Sequence, residues 1–300
     1  MKRRDFLSSA SALAALSALA ACTQVEPKPD VAPNPPLQPQ VAPRPKPRLG
    51  LALGGGAARG FAHIGVIKVL EAQGIVPDVI AGTSAGAVVG TLYAGGFDAI
   101  ELHQLANRME ESSFTDWVIF DRGFLKGEVI ERFVNKELGN RPLEGLKRRM
   151  GVVATDLASG EMAVFTAGNA GVAVRASASI PAVFAPVVIR GREFVDGGLV
   201  SPVPVRAARQ MGADIVVAVD ISAKPSGKKN QGTVDMLLDT MAIMGHTIGE
   251  TELLGADVII RPDIRGLPAT NFQQRQEAIL QGERAALAAL PRIREKLAVR

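Results

Sequence analysis

Past residue 48 the chain alternates short apolar runs with longer stretches of helical spacing. Leu49-Gly50-Leu51-Ala52-Leu53 ends in Gly54-Gly55-Gly56, which predicts a buried strand entering a turn. After Gly60, the apolar positions Ile64, Ile67, Val69 and Leu70 fit a helix that Gly74 stops. Val79-Ile80-Ala81 is a second strand, followed by Gly82-Thr83-Ser84-Ala85-Gly86 and a small-residue helix from Ala87 to Ala94. Residues 98–138 have mainly helical spacing. Further strands are expected at residues 151–155, 162–166, 193–195, 215–219 and 258–260, with helical patterns at 203–210, 234–247 and 273–289. Repeated strand–helix alternation predicts an α/β fold with a mostly parallel sheet covered by helices.

The first 48 residues follow different rules. Lys2, Arg3 and Arg4 precede an apolar run from Leu7 to Ala21 that closes as Leu19-Ala20-Ala21-Cys22. A charged start, a short apolar stretch and small residues before a cut predict a signal peptide over residues 1–21. Arg3-Arg4-Asp5-Phe6-Leu7 resembles a twin-arginine export motif, and Leu-Ala-Ala-Cys resembles a bacterial lipobox. Cys22 is the only cysteine, so it forms no internal disulfide and is the expected lipidation site. From Val25 to Arg48 prolines dominate, and such a segment in polyproline II reaches roughly 70 Å. Residues 22–48 therefore read as a lipidated N-terminus and tether, holding residues 49–300 off a membrane. An exported protein on the periplasmic side of an outer membrane is the expected location. Removing residues 1–21 takes three positive charges and one negative from the formal +4, leaving +2. A charge so near balance gives no reason to expect a nucleic-acid partner.

Three segments carry candidate chemistry. Gly82-Thr83-Ser84-Ala85-Gly86 lies between a strand and a helix, where glycines two residues either side of the serine permit a sharp turn that exposes its hydroxyl. Ser84 is the expected nucleophile. Gly54-Gly55-Gly56-Ala57-Ala58-Arg59-Gly60 also joins a strand to a helix, and glycine-rich backbone there offers N–H groups to an anion. Arg59 stands where a dinucleotide loop would place its third glycine, and Asp78 precedes its strand rather than ending it. An oxyanion hole from Gly55, Gly56 and Ala57 fits better than a nucleotide site, with Arg59 orienting the loop. Asp196-Gly197-Gly198 ends a short strand; taken alone, it reads more readily as a turn aspartate than as a base.

Together these pieces resemble the patatin-like phospholipase family. Its pattern of glycine-rich loop with a basic residue, Gly-x-Ser-x-Gly elbow and Asp-Gly-Gly acid appears in order as Gly54–Gly60, Gly82–Gly86 and Asp196–Gly198. The segment Arg175 to Phe184 is similar to the family's stretch before the acid, and the likeness spans roughly Leu49 to Pro262. The resemblance implies a three-layer α/β/α sandwich and a Ser84–Asp196 dyad without cofactor or metal. It also implies phospholipids, lysophospholipids or other acyl esters as substrates.

The three histidines are compatible with a dyad. His63 follows the glycine loop and His103 lies in a helical stretch, so both read as packing or surface residues. The order Ser84, Asp196, His246 is that of an α/β-hydrolase triad, yet Met241, Met244 and Ile248 give His246 a helical setting. Thioesterase, acyltransferase or protease chemistry on the same dyad is the alternative among enzymes. A lipid-binding envelope lipoprotein without activity and a nucleotide-binding module are the alternatives outside that chemistry.

Overall fold

The computed structural model describes residues 46–108, 127–222, 232–264, 266–267 and 272–298. The expected signal peptide, Cys22 and the tether up to residue 45 lie outside these residues. In chain order the first elements are β1 (Leu49–Leu53), α1 (Phe61–Ala72), β2 (Val79–Thr83), α2 (Ala85–Gly95) and α3 (Ala99–Arg108). Next come α4 (Glu128–Glu137), β3 (Arg149–Asp156), β4 (Met162–Phe165), α5 (Ala170–Ser177), β5 (Val187–Ile189) and β6 (Arg192–Asp196). The remainder is α6 (Val205–Gln210), β7 (Ile215–Val219), α7 (Thr233–Leu253), β8 (Val258–Ile260) and α8 (Arg275–Ala298).

The strands form one sheet in the order β5-β6-β3-β2-β1-β7-β8, with β4 on the second edge of β3. β3, β2, β1, β7 and β8 run parallel, β4 and β6 run antiparallel to β3, and β5 pairs antiparallel with β6. The sheet is thus mostly parallel, as its sequence alternation predicts, with a mixed edge where β4 follows β3 and β6 follows β5 without a helix between.

Why β1 reads Leu-Gly-Leu-Ala-Leu follows from the layers. Successive strand side chains face opposite sides. Leu49, Leu51 and Leu53 join Ile215, Val217 and Val219 in the larger core, together with residues of α1, α2, α3 and α8. Ala52, Ala81, Val216 and Ala218 face the other way, against Ala207 and Ala208 of α6 and Leu253 of α7. Small residues on that side let α6 lie close to the sheet. Both faces are covered, which makes the three layers and explains why β1, β2 and β7 are buried at every position.

Candidate active site

Ser84 stands between β2 and α2 with φ 52° and ψ −117°. For a non-glycine residue this is a strained backbone that the surroundings must hold in place. The strain falls on the serine itself, and neither Gly82 nor Gly86 has positive φ. Those glycines allow close approach instead. A Cβ on Gly86 would lie 2.1 Å from the Leu53 carbonyl oxygen, and one on Gly82 would lie 2.5 Å from that of Gly86. Without side chains there, α2 starts hard against β1 and β2.

Asp196 reaches Ser84 through a change of partner along β3. β3 pairs with β2 as far as Thr83–Val153, then with β6 beginning at Ala154–Asp196. β4 occupies the other edge of β3 over the same stretch. β2 and β6 therefore meet end to end on one edge, and Ser84 and Asp196 stand at the junction. Gly197 turns the chain there, where a Cβ would lie 2.3 Å from the Val153 carbonyl oxygen.

Hydrogen bonds fix both residues. The Ser84 N–H donates to Ser177 Oγ at 2.8 Å, and that hydroxyl donates to the Val153 carbonyl. The Asp196 N–H donates to the Ser179 carbonyl at 2.9 Å, and Thr155 Oγ1 donates to the Asp196 carbonyl at 2.8 Å. The Gly198 N–H donates to Asp196 Oδ1 at 2.7 Å. Burial pushes the Asp196 carboxyl up to about 6, opposed by the Gly198 N–H and by the Ser84 hydroxyl acting as hydrogen-bond donor. Ser177 and Ser179 were visible in sequence only as part of the Arg175–Phe184 segment; two serines ending a helix give no local sign that they brace another strand.

The glycine loop divides its amides between structure and solvent. Gly54 N–H donates to the Val219 carbonyl at 3.0 Å, and Gly55 N–H donates to the Pro202 carbonyl at 2.9 Å. Gly55 is thus corrected as an oxyanion donor, because its amide is already used to pin the loop. Its lack of a side chain matters more, since a Cβ would sit 3.3 Å from Ser84 Cβ. Among the described residues no acceptor takes the N–H of Gly56 or Ala57. Ala57 has φ 50°, so left-handed residues stand on the loop and on the elbow. Gly60 faces Ala85, where a Cβ would come within 2.7 Å of Ala85 Cβ. Arg59 Nε donates to the Leu267 carbonyl at 3.0 Å, tying the loop to the segment after β8.

His63 is fully buried, with Nε2 2.8 Å from the Gly54 carbonyl oxygen. Burial lowers its pKa to about 4, so at neutral pH it is an uncharged donor that holds the loop. His103 Nε2 bonds Gln276 Oε1 at 3.0 Å. His246 lies within α7, and among the described residues no histidine is a hydrogen-bond partner of Ser84 or Asp196.

A cavity of about 500 Å³ opens at Ser84 and Ala57 and runs between α1, α2, α3 and α4. Its wall is mostly apolar, with Phe61, Ile64, Val88, Leu92, Leu105 and Phe133 prominent, and Arg108, Lys136 and Glu137 also line it.

The model of the patatin-like phospholipase family matches residues 51–209. This chain belongs to that family. The match takes in the glycine loop, the elbow, the Ser177–Ser179 brace and Asp196. An uncharacterized NTE family protein of Mycobacterium tuberculosis is 38% identical over 184 residues, covering 60% of this chain and 51% of that protein. Lysophospholipase NTE1 of Coccidioides immitis is 34% identical over 181 residues, covering 58% of this chain and 12% of that protein. The matches span about half the length of the bacterial relatives. VipD from Legionella pneumophila has a TM-score of 0.49 at 14% identity, over 82% of this chain and 67% of that one.

Proposed function

We propose that this patatin-like protein hydrolyses acyl esters of lipids, phospholipids or lysophospholipids among them, with Ser84 as nucleophile and Asp196 as its base. The observation that carries the reading is the junction of β2 and β6, which sets a strained serine beside a buried carboxyl at the mouth of an apolar cavity. Ser84 Oγ attacks the ester carbonyl and its proton passes to the Asp196 carboxylate. The oxyanion forms against the free N–H groups of Gly56 and Ala57, a type of interaction worth about 3 kcal/mol per donor in acyl transfer. Asp196 then gives its proton to the leaving alcohol. Water, deprotonated by the same carboxylate, releases the acyl group from Ser84, and the proton returns to the serine. The apolar cavity suits the acyl chain, which supports a lipid ester over a peptide. The name Lysophospholipase of the fungal relative supports the same substrate class.

Labelling with a fluorophosphonate followed by peptide mapping tests this directly. The modified residue is expected to be Ser84, and Ser84→Ala is expected to lose both labelling and hydrolysis of p-nitrophenyl butyrate while keeping its far-UV spectrum. A folded Ser84→Ala protein with full activity would refute the assignment.

A further inference from the structure

Helix α7 is too long for the sheet it packs on. Its 21 residues span about 31 Å, whereas a five-residue strand such as β7 spans about 16 Å. The lower end is anchored, with Leu253 buried in the smaller core. Higher up, the helix passes the turn after Asp196, where a Cβ on Gly245 would lie 3.7 Å from the Gly198 carbonyl oxygen. α7 follows β7, which runs parallel to β1, itself parallel to β2, so its start lies on the same rim of the sheet as Ser84. Residues 233–244 therefore project past the catalytic rim.

This overhang carries an uncharged face. Met236, Leu237, Thr240, Ile243, Met244 and Thr247 fall within a helical sector of about 120°. Met236, Leu237, Ile243 and Met244 are 54%, 43%, 51% and 56% exposed, although large apolar side chains gathered in one place are unusual on a free surface. The two threonines add little polar demand to this face. Thr240 Oγ1 donates to the Met236 carbonyl at 2.7 Å and Thr247 Oγ1 to the Ile243 carbonyl at 3.2 Å. Both hydroxyls are turned back onto carbonyls of their own helix. A face that satisfies its polar atoms internally fits an environment without hydrogen-bond partners.

We infer that the projecting half of α7 inserts this face into a lipid surface and thereby sets the active-site rim on the membrane. An amphipathic helix lying in the headgroup–acyl boundary binds through buried apolar area. The inference deepens the lipid-hydrolase reading and rests on it for the nature of the surface.

A site-specific reporter tests it in the full chain. Trp117→Phe removes the one native tryptophan, and Met244→Trp places a reporter on the face. A control carries Ile100→Trp instead, an exposed position at the start of α3. With phosphatidylcholine–phosphatidylglycerol vesicles, the reporter at 244 should shift to the blue and be quenched by acyl-brominated lipids. The reporter at 100 should do neither. Leu237→Glu with Ile243→Glu should lower hydrolysis of vesicle-borne lysophospholipid about tenfold or more, and leave p-nitrophenyl butyrate turnover unchanged. The milder Leu237→Gln with Ile243→Gln should give a smaller loss in the same direction. No quenching at position 244 would overturn the inference. So would a dimer, seen by sedimentation, that the glutamates split without changing vesicle hydrolysis. Quenching at position 244 in a protein that cleaves neither ester would uphold the lipid contact and refute the hydrolase reading.

Discussion

A carboxylate is a weak base for a serine hydroxyl, and the surroundings of Asp196 narrow the gap. Its ordinary pKa of 3.8 is raised to about 6 by burial, so near neutral pH it is ionised but more basic than a surface aspartate. We expect kcat/KM to rise with pH through about 6 and then level off. The native state holds this proton more tightly than the unfolded chain, so folding stability falls as pH rises from about 3.8 to about 6 and stays reduced above that range. Asp196→Asn keeps an acceptor for the Gly198 N–H and removes the buried charge. It should cut kcat/KM by roughly 10³-fold or more, a loss of the size seen when a base is removed from serine hydrolases. It should also raise Tm at pH 8 but not at pH 3.5. His246→Ala, by contrast, should change kcat/KM no more than a few-fold; a folded but inactive His246→Ala would make the histidine the base. Parallel kinetics and thermal melts on both variants separate these outcomes.

At the scale of elements, the loop that carries the free amides is supported from below by a helix crossing. α1 begins at Phe61, directly after Gly60, and packs along α8. The two helices meet at glycines on both sides: a Cβ on Gly65 would lie 2.0 Å from the Ile279 carbonyl oxygen, and one on Gly282 would lie 2.0 Å from that of Ala62. Backbone fills the space, so neither site can yield by turning a side chain. Gly282→Ala should therefore destabilise the protein by about 2–3 kcal/mol through overpacking, despite alanine's better helix propensity. A urea denaturation midpoint equal to or above that of the parent would show that the crossing relaxes freely. The periodic pattern located α1 and α8 but said nothing of this contact, because Gly65 and Gly282 are 217 residues apart in sequence. For the same reason it missed β5, three residues whose strand character comes from pairing with β6. α5 was missed too; it is short and starts at a cap where Asn169 accepts from the Val172 N–H.

For the whole molecule, we propose that the cut before Cys22 and its lipidation place the protein on a membrane, with the proline-rich segment as tether. Cys22→Ser should abolish incorporation of labelled fatty acid and release the protein from the membrane fraction; unchanged lipid labelling would refute the anchor. The lack of core-forming residues in that segment is legible from its composition alone. Most of the buried strands, most of the helices between them and the three glycine-flanked motifs follow from local pattern, because each depends on residues adjacent in the chain. Local spacing is enough to specify an elbow or a strand end. What it cannot specify is which ends meet. The register of β3, changing from β2 to β6 between Val153 and Ala154, brings Ser84 to Asp196 across 112 residues. The same packing commits the Gly55 amide to Pro202 and leaves those of Gly56 and Ala57 without an acceptor among the described residues. It buries Asp196 deeply enough to alter its proton affinity. Those properties are set by contacts between distant segments, and exist only once the sheet has assembled.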